Sequence, residues 1–188
     1  MDMKTNPYVV ALGAACLACS VAMTQDKPYL PVGSPAPEIS GTGTDGKDYS
    51  LKSLTSNKKP LFVVFWKEQC PHNPRASALF NNLNKAYEGK AKLIGVVTAS
   101  ADGAKKWVER FQLNFPLLAD ANRAIVGSYK LGFSITSFQI GADGKVVNVF
   151  EGYGADELKS LNKAMADAAG VPVKDVDLSV APGRQTWG

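Results

Sequence analysis

Apolar and polar positions alternate along this chain with two distinct periods. After Pro60, six consecutive residues, Leu61-Phe62-Val63-Val64-Phe65-Trp66, are apolar and largely β-branched or aromatic. A run of that length with no polar face predicts a central strand buried on both sides. The period then changes. Ala76, Leu79, Phe80, Leu83 and Tyr87 recur at helical spacing, with Asn and Lys on the opposite side and Gly89 as a stop. Leu93-Ile94-Gly95-Val96-Val97 predicts a second buried strand, followed by a helix around Ala104–Phe111. Phe115-Pro116-Leu117-Leu118 is a short strand, with a short helix near Arg123–Tyr129. Ser134–Ile140 and Val146–Phe150 flank Asp143-Gly144, which marks a hairpin turn. Leu158, Leu161, Met165 and Ala168 share one face of a last helix, with Asp156 and Glu157 in its first turn and Gly170 beyond its end.

Strands alternating with helices and closed by a hairpin predict an α/β domain: a central, mostly parallel sheet with a C-terminal antiparallel hairpin and helices on both faces. Asp45-Gly46, between Ile39 and Tyr49-Ser50-Leu51, reads as an earlier hairpin. The chain of 188 residues suits one domain with short extensions, and no repeat is evident. The domain is assigned to residues 32–170, behind an extended Pro-rich lead-in over 23–31. Residues 171–188, with two prolines and little periodicity, are expected to lie along the surface or to be disordered.

The first residues do not belong to this pattern. Lys4 precedes the apolar, small-residue run Val9–Ala22, too short to span a bilayer comfortably, and polarity returns at Thr24. Residues 1–22 therefore read as a signal peptide cleaved after Ala22, giving a periplasmic or extracellular protein. Two alternatives stand beside it: lipid attachment at Cys19, which would anchor the protein to a membrane, and an uncleaved anchor. Cleavage changes the cysteine arithmetic. Of three cysteines, Cys16 and Cys19 leave with the signal and only Cys70 remains, so the mature chain has no internal disulfide. The net charge of +4 comes from scattered Lys and Arg without a basic stripe, which argues against a nucleic-acid partner.

Cys70 follows the first long strand in the segment Lys67-Glu68-Gln69-Cys70-Pro71-His72-Asn73-Pro74. Ligand sites of open α/β sheets lie beyond the carboxyl ends of the strands. A thiol there, close to a helix N-terminus, is favoured as thiolate, the nucleophile towards disulfides and peroxides. His72, the only histidine, is positioned in sequence to give a proton or a positive charge to Cys70; an exposed loop position with no role is the alternative. One Cys and one His fall short of a zinc site, and the sequence implies no cofactor or metal. Glu68 is a candidate proton shuttle and Trp66 a candidate neighbour of the thiol, or simply a core residue.

Phe65-Trp66-Lys67-Glu68-Gln69-Cys70-Pro71 resembles the active-site segment of the thioredoxin-like superfamily, in which a Phe-Trp strand end precedes Cys-x-x-Cys. Val32-Gly33-Ser34-Pro35-Ala36-Pro37, Asp45-Gly46-Lys47, Phe115–Asp120 and Phe138–Lys145 are similar to segments of its redoxin (AhpC/TSA) group and of its extracytoplasmic TlpA/ResA-type thiol–disulfide oxidoreductases. The resemblance implies a thioredoxin-like fold and thiol redox chemistry. It also implies a substrate groove at Trp66, Ile135 and Thr136. The departures bear on mechanism. The second cysteine is replaced by Asn73, so Cys70 cannot resolve its own mixed disulfide. Ile135 occupies the place of the family's cis-proline, or of the arginine found there in peroxiredoxins, and is expected to supply neither device. Asn73-Pro74 reads as a helix N-cap and first turn, placing Cys70 just outside the helix.

Two functions follow as alternatives. One is a single-cysteine thiol oxidoreductase acting on disulfides or peroxides, with an external thiol reductant or partner protein to resolve Cys70. The other is a thioredoxin-fold binding module that has lost turnover. Export is the part testable at once. Intact mass of the exported protein should place its N-terminus at Met23, and a lipid adduct on Cys19 would mark the lipoprotein form. Full-length chain confined to the cytosol would contradict both.

Overall fold

The computed structural model describes residues 29–56 and 58–186. The signal and lipid-attachment readings, with Cys16 and Cys19, lie outside the described residues. The elements run β1 (Gly41–Thr42), β2 (Asp48–Tyr49), α1 (Leu51–Thr55), β3 (Leu61–Trp66), α2 (Asn73–Ala86), β4 (Lys92–Val97), α3 (Ala101–Phe111), β5 (Leu117–Ala119), α4 (Ala124–Ser128), β6 (Thr136–Ile140), β7 (Val146–Glu151) and α5 (Ala155–Ala169).

Every side chain of β3 is buried, and the sheet order β5-β4-β3-β6-β7 puts that strand in the middle. It pairs in parallel with β4 and antiparallel with β6. The parallel part therefore comprises β3, β4 and β5, with β6 and β7 as the antiparallel hairpin. Alternate β3 residues feed two cores. Phe62, Val64 and Trp66 pack with the apolar faces of α2, α3 and α5. Leu61, Val63 and Phe65 pack with Leu54 of α1, Val126 of α4, Tyr129 and Phe138. An aromatic triad fills this second core: Phe65 lies tilted against Tyr129 with ring centroids 4.8 Å apart, and both meet Phe138 edge-on, Phe65 at 5.6 Å. A strand enclosed in this way has no solvent face, which is what its uniformly apolar sequence requires.

The β5 edge is covered, and the β7 edge is covered at its hairpin end. On the β5 side the N-terminal hairpin lies alongside, with Thr44 N donating to Leu117 O at 2.9 Å. On the β7 side residues 33–36 pair with the hairpin: Gly33 N donates to Val146 O at 2.8 Å and Val146 N to Ser34 O at 2.9 Å. The edge backbone at these positions, which would otherwise be open to another strand, is bonded within the chain.

One helix, α1, is not read from the sequence, and another starts earlier than expected. Ser50 closes the first hairpin and then caps α1, its hydroxyl accepting from Ser53 N while Ser53 Oγ accepts from Ser50 N. The helix expected from Ala104 begins at Ala101, because Ser100 caps it by accepting from Gly103 N at 3.1 Å; Gly103 in that first turn hides the start from a periodicity argument. The strand expected from Ser134 begins at Thr136, since Ser134 is engaged elsewhere.

The double burial of β3 leads to a stability prediction. Val64→Asp places a charge between two packed layers with no partner, and should cost more than about 3 kcal/mol. Chemical denaturation checks this, and a loss below about 1 kcal/mol would contradict the central placement of the strand.

Candidate functional site

Beyond Trp66 the chain leaves the sheet and turns back into α2 through a tightly bonded loop. Lys67 N donates to Ser134 Oγ at 3.0 Å, and Glu68 N to Thr98 Oγ1 at 3.2 Å. Thr98 N in turn donates to Trp66 O at 3.1 Å. Cys70 N donates to Lys67 O at 3.1 Å and Asn73 N to Cys70 O at 3.2 Å, closing two successive turns around the cysteine. The Asn73 carboxamide adds two more bonds, Nδ2 to Lys67 O at 3.0 Å and to Glu68 O at 3.1 Å.

Asn73 was expected to cap the helix from outside, and here the structure differs. Asn73 is the first residue of α2, and His72 holds the N-cap position without a side-chain cap bond. The carboxamide faces back into the loop because two carbonyls of that loop, at Lys67 and Glu68, need donors. Asn73 is thus an internal brace, and Cys70 stands closer to the helix start than expected.

Cys70 is a free thiol and is 5% exposed. Beside it the turn from β7 into α5, Gly152-Tyr153-Gly154, brings in a residue that the sequence did not single out. The Tyr153 hydroxyl lies 2.8 Å from His72 Nδ1, with the rings 5.7 Å apart. Burial pushes the Tyr153 phenol above its usual pKa range, the Arg75 guanidinium draws it back, and Cys70 adds to the rise. The phenol is therefore protonated at neutral pH. It can donate to Nδ1 of neutral His72, leaving the ring proton on Nε2, or accept from Nδ1–H of the imidazolium. The signal that would have found it is the pair of glycines on either side of one aromatic residue at the hairpin-to-helix turn.

The Ser134–Ile135 peptide is cis. The expectation that Ile135 lacks the geometry of the family's cis-proline is corrected: the cis bond is present without proline. Ile135 O accepts from Gly152 N at 2.7 Å, which ties this loop to the Tyr153 turn. The side chains of Trp66, Ile135 and Thr136 are all buried. Trp66 packs edge-on against Phe80 and Trp107, at 5.3 and 5.6 Å between ring centroids, and so belongs to the core under the loop. Thr136 Oγ1 donates to Phe133 O at 3.2 Å. Glu68 directs its carboxylate to the first turn of α3, with Oε1 3.1 Å from where a Cβ on Gly103 would stand, an orientation that the positive end of that helix favours. A cleft of about 70 Å³ opens on the other side of the loop between Lys67, Thr98, Arg123 and Ser134; Cys70 is not in its wall.

Comparison with known proteins places the chain in a family. Residues 32–149 match the AhpC/TSA family. The thiol-disulfide oxidoreductase ResA of Bacillus cereus is 32% identical over 156 residues, covering 77% of this chain and 88% of its own. The corresponding protein of Bacillus anthracis is 33% identical over 126 residues, covering 65% and 70%. Among solved structures, the fold is similar to a protein assigned as the thiol:disulfide interchange protein DsbE of Chlorobium tepidum, with TM-score 0.67, 22% identity and coverage of 75% and 99%. It is also similar to peroxidoxin BcpB of Mycobacterium tuberculosis, with TM-score 0.61, 20% identity and coverage of 77% and 99%. With the sheet order, the loop after β3 and these likenesses in agreement, the chain belongs to the AhpC/TSA family of the thioredoxin-like superfamily, among its TlpA/ResA-type proteins.

Proposed function

We propose that this protein is an exported, single-cysteine thiol oxidoreductase. Family membership supports thiol redox chemistry with a redox partner or a disulfide substrate. The observation that carries the single-cysteine form is the loop itself: Cys70 lies beyond the central strand next to the Tyr153–His72 pair, while the position of a resolving thiol is held by Asn73, hydrogen-bonded into the same loop.

In this reading the Cys70 thiolate attacks one sulfur of a disulfide. A Cys70–substrate disulfide forms, the substrate S–S bond breaks, and the departing thiolate takes a proton from His72 or from water. A second, external thiolate then attacks the mixed disulfide, releasing Cys70 and leaving the substrate sulfur bonded to the external thiol. With a peroxide, the thiolate takes the terminal oxygen, the O–O bond breaks, the leaving hydroxide or alkoxide takes a proton from His72 or water and departs as water or an alcohol, and Cys70 becomes a sulfenic acid. The external thiol condenses with it, releasing water and forming a mixed disulfide that a further thiol reduces. His72 and Tyr153 supply the proton and hold it near the sulfur.

A second reading, a binding module without turnover, is favoured by the small exposure of Cys70. The two readings separate in steady-state assays. The oxidoreductase turns over a small disulfide or hydrogen peroxide only with added thiol, and Cys70→Ser abolishes that turnover. Asn73→Cys recreates Cys-x-x-Cys and should restore internal resolution of the mixed disulfide, although it removes two hydrogen bonds and should cost about 1–3 kcal/mol of stability. Redox activity unchanged in Cys70→Ser would exclude the oxidoreductase, and no activity in any variant would support the binding module.

A further inference from the structure

The final residues of the described chain run past the Cys70 site. From α5 the chain turns at Gly170 and passes along the surface. Val171, Val176, Leu178 and Ala181 rest against the core. Asn82 Nδ2 donates to Asp177 O at 2.9 Å, and Asn162 Nδ2 to Lys174 O at 2.9 Å. The segment then reaches the turn that carries Tyr153 and grips it on both sides. Ala155 N donates to Pro182 O at 2.8 Å and Tyr153 N to Thr186 O at 3.0 Å. Gln185 Nε2 donates to Glu151 O at 3.0 Å.

The fit depends on two glycines. A Cβ on Gly152 would stand 2.4 Å from Thr186 O, and one on Gly154 would stand 2.8 Å from Arg184 O. Gly154 has φ −64° and ψ 161°, a backbone conformation open to any residue. Conformation therefore does not require glycine at 154, whereas the close approach of the C-terminal segment does. Between these glycines Tyr153 is fixed at three points: its N–H on Thr186, its neighbour Gly152 on Ile135 O, and its hydroxyl on His72.

We propose that residues 182–186 are a working part of the Cys70 site, a strap that positions Tyr153, and through it the His72 imidazole, beside the thiol. The proposal rests on the reading of Cys70 as the reacting group only for its consequence in redox chemistry. The positioning itself is a separate, structural claim. Without the strap the Tyr153 turn loses its bonds to Pro182 O, Thr186 O and Gln185, and keeps the Gly152–Ile135 bond, the Leu158 N–Gly154 O bond, the contact with His72 and its packing in the core, so the backbone behind the phenol is held at fewer points.

His72 is the only histidine, so in an untagged protein the imidazole resonances report on it alone. Gly154→Ala should displace the strap without altering any side chain of the site, and trypsin cleavage after Arg184 should become about tenfold faster, as local release of a docked segment requires. The His72 ring nitrogen shifts of Gly154→Ala should move towards those of Tyr153→Phe, and the rate of Cys70 alkylation at neutral pH should fall in both variants. Deletion of residues 182–188, which leaves Gly154 in place, serves as the second variant if Gly154→Ala does not fold. A strap that is released, or deleted, while the His72 resonances and the alkylation rate keep their wild-type values would overturn the proposal. If His72 responds to the strap but Cys70 performs no redox reaction, the oxidoreductase reading fails and the positioning role stands.

Discussion

Because β3 has no residue that tolerates water, it can sit only in the middle of a sheet with a helical layer on each face. The rest of the architecture follows from this constraint. The helices α2, α3 and α5 cover Phe62, Val64 and Trp66, while α1 and α4 cover Leu61, Val63 and Phe65. Both neighbouring strands contribute loops to its carboxyl end, Thr98 following β4 and Ser134 preceding β6, and each bonds the first residues of the chain leaving β3. The loop that carries Cys70 is therefore anchored to three strands of a buried sheet. This is the kind of rigid support that a reacting group needs, since small displacements at such a centre are costly.

Within that support, asparagine stands where the family carries its second cysteine and is bonded into the loop. A carboxamide at position 73 donates twice, to the carbonyls of Lys67 and Glu68, which a thiol could do only weakly. Asn73 thus gives the loop a brace where the family carries its second cysteine. The Tyr153 turn supplies polar groups from the other side. Its glycines admit the C-terminal segment, its amide reaches the cis-peptide loop, and its phenol meets the imidazole. The site is thus assembled from segments far apart in sequence: the loop after β3, the loop before β6, the turn after β7 and the C-terminal strap.

That assembly explains what could be read from the sequence. Elements governed by burial were legible. Leu61–Trp66, the Ala76–Tyr87 stripe, the Asp143-Gly144 hairpin and the last helix all appear as their apolar periods require. Cys70 and His72 stood out through residue type and their place after a strand. Elements governed by specific hydrogen bonds were not legible. Side-chain caps start α1 and α3, and Asn73 turned inward because of carbonyls that no periodicity reveals. Ser134 and Thr98 act through a hydroxyl on a distant amide, and Tyr153 acts across 81 positions of chain. The cis bond before Ile135 carries no proline to mark it. The C-terminal segment has little periodicity because backbone and side-chain hydrogen bonds fix its course as much as its few apolar contacts do.

The central claim is that Cys70 is a nucleophile that forms, and then waits in, a covalent bond to one sulfur of its substrate. Intact mass spectrometry of the mature protein after brief exposure to oxidised glutathione at neutral pH addresses it directly. The account predicts a single glutathione adduct, mapped to Cys70, stable until a reducing thiol is added and then fully released. A Cys70 that remains unmodified in the folded protein, yet reacts once the protein is denatured, would contradict it.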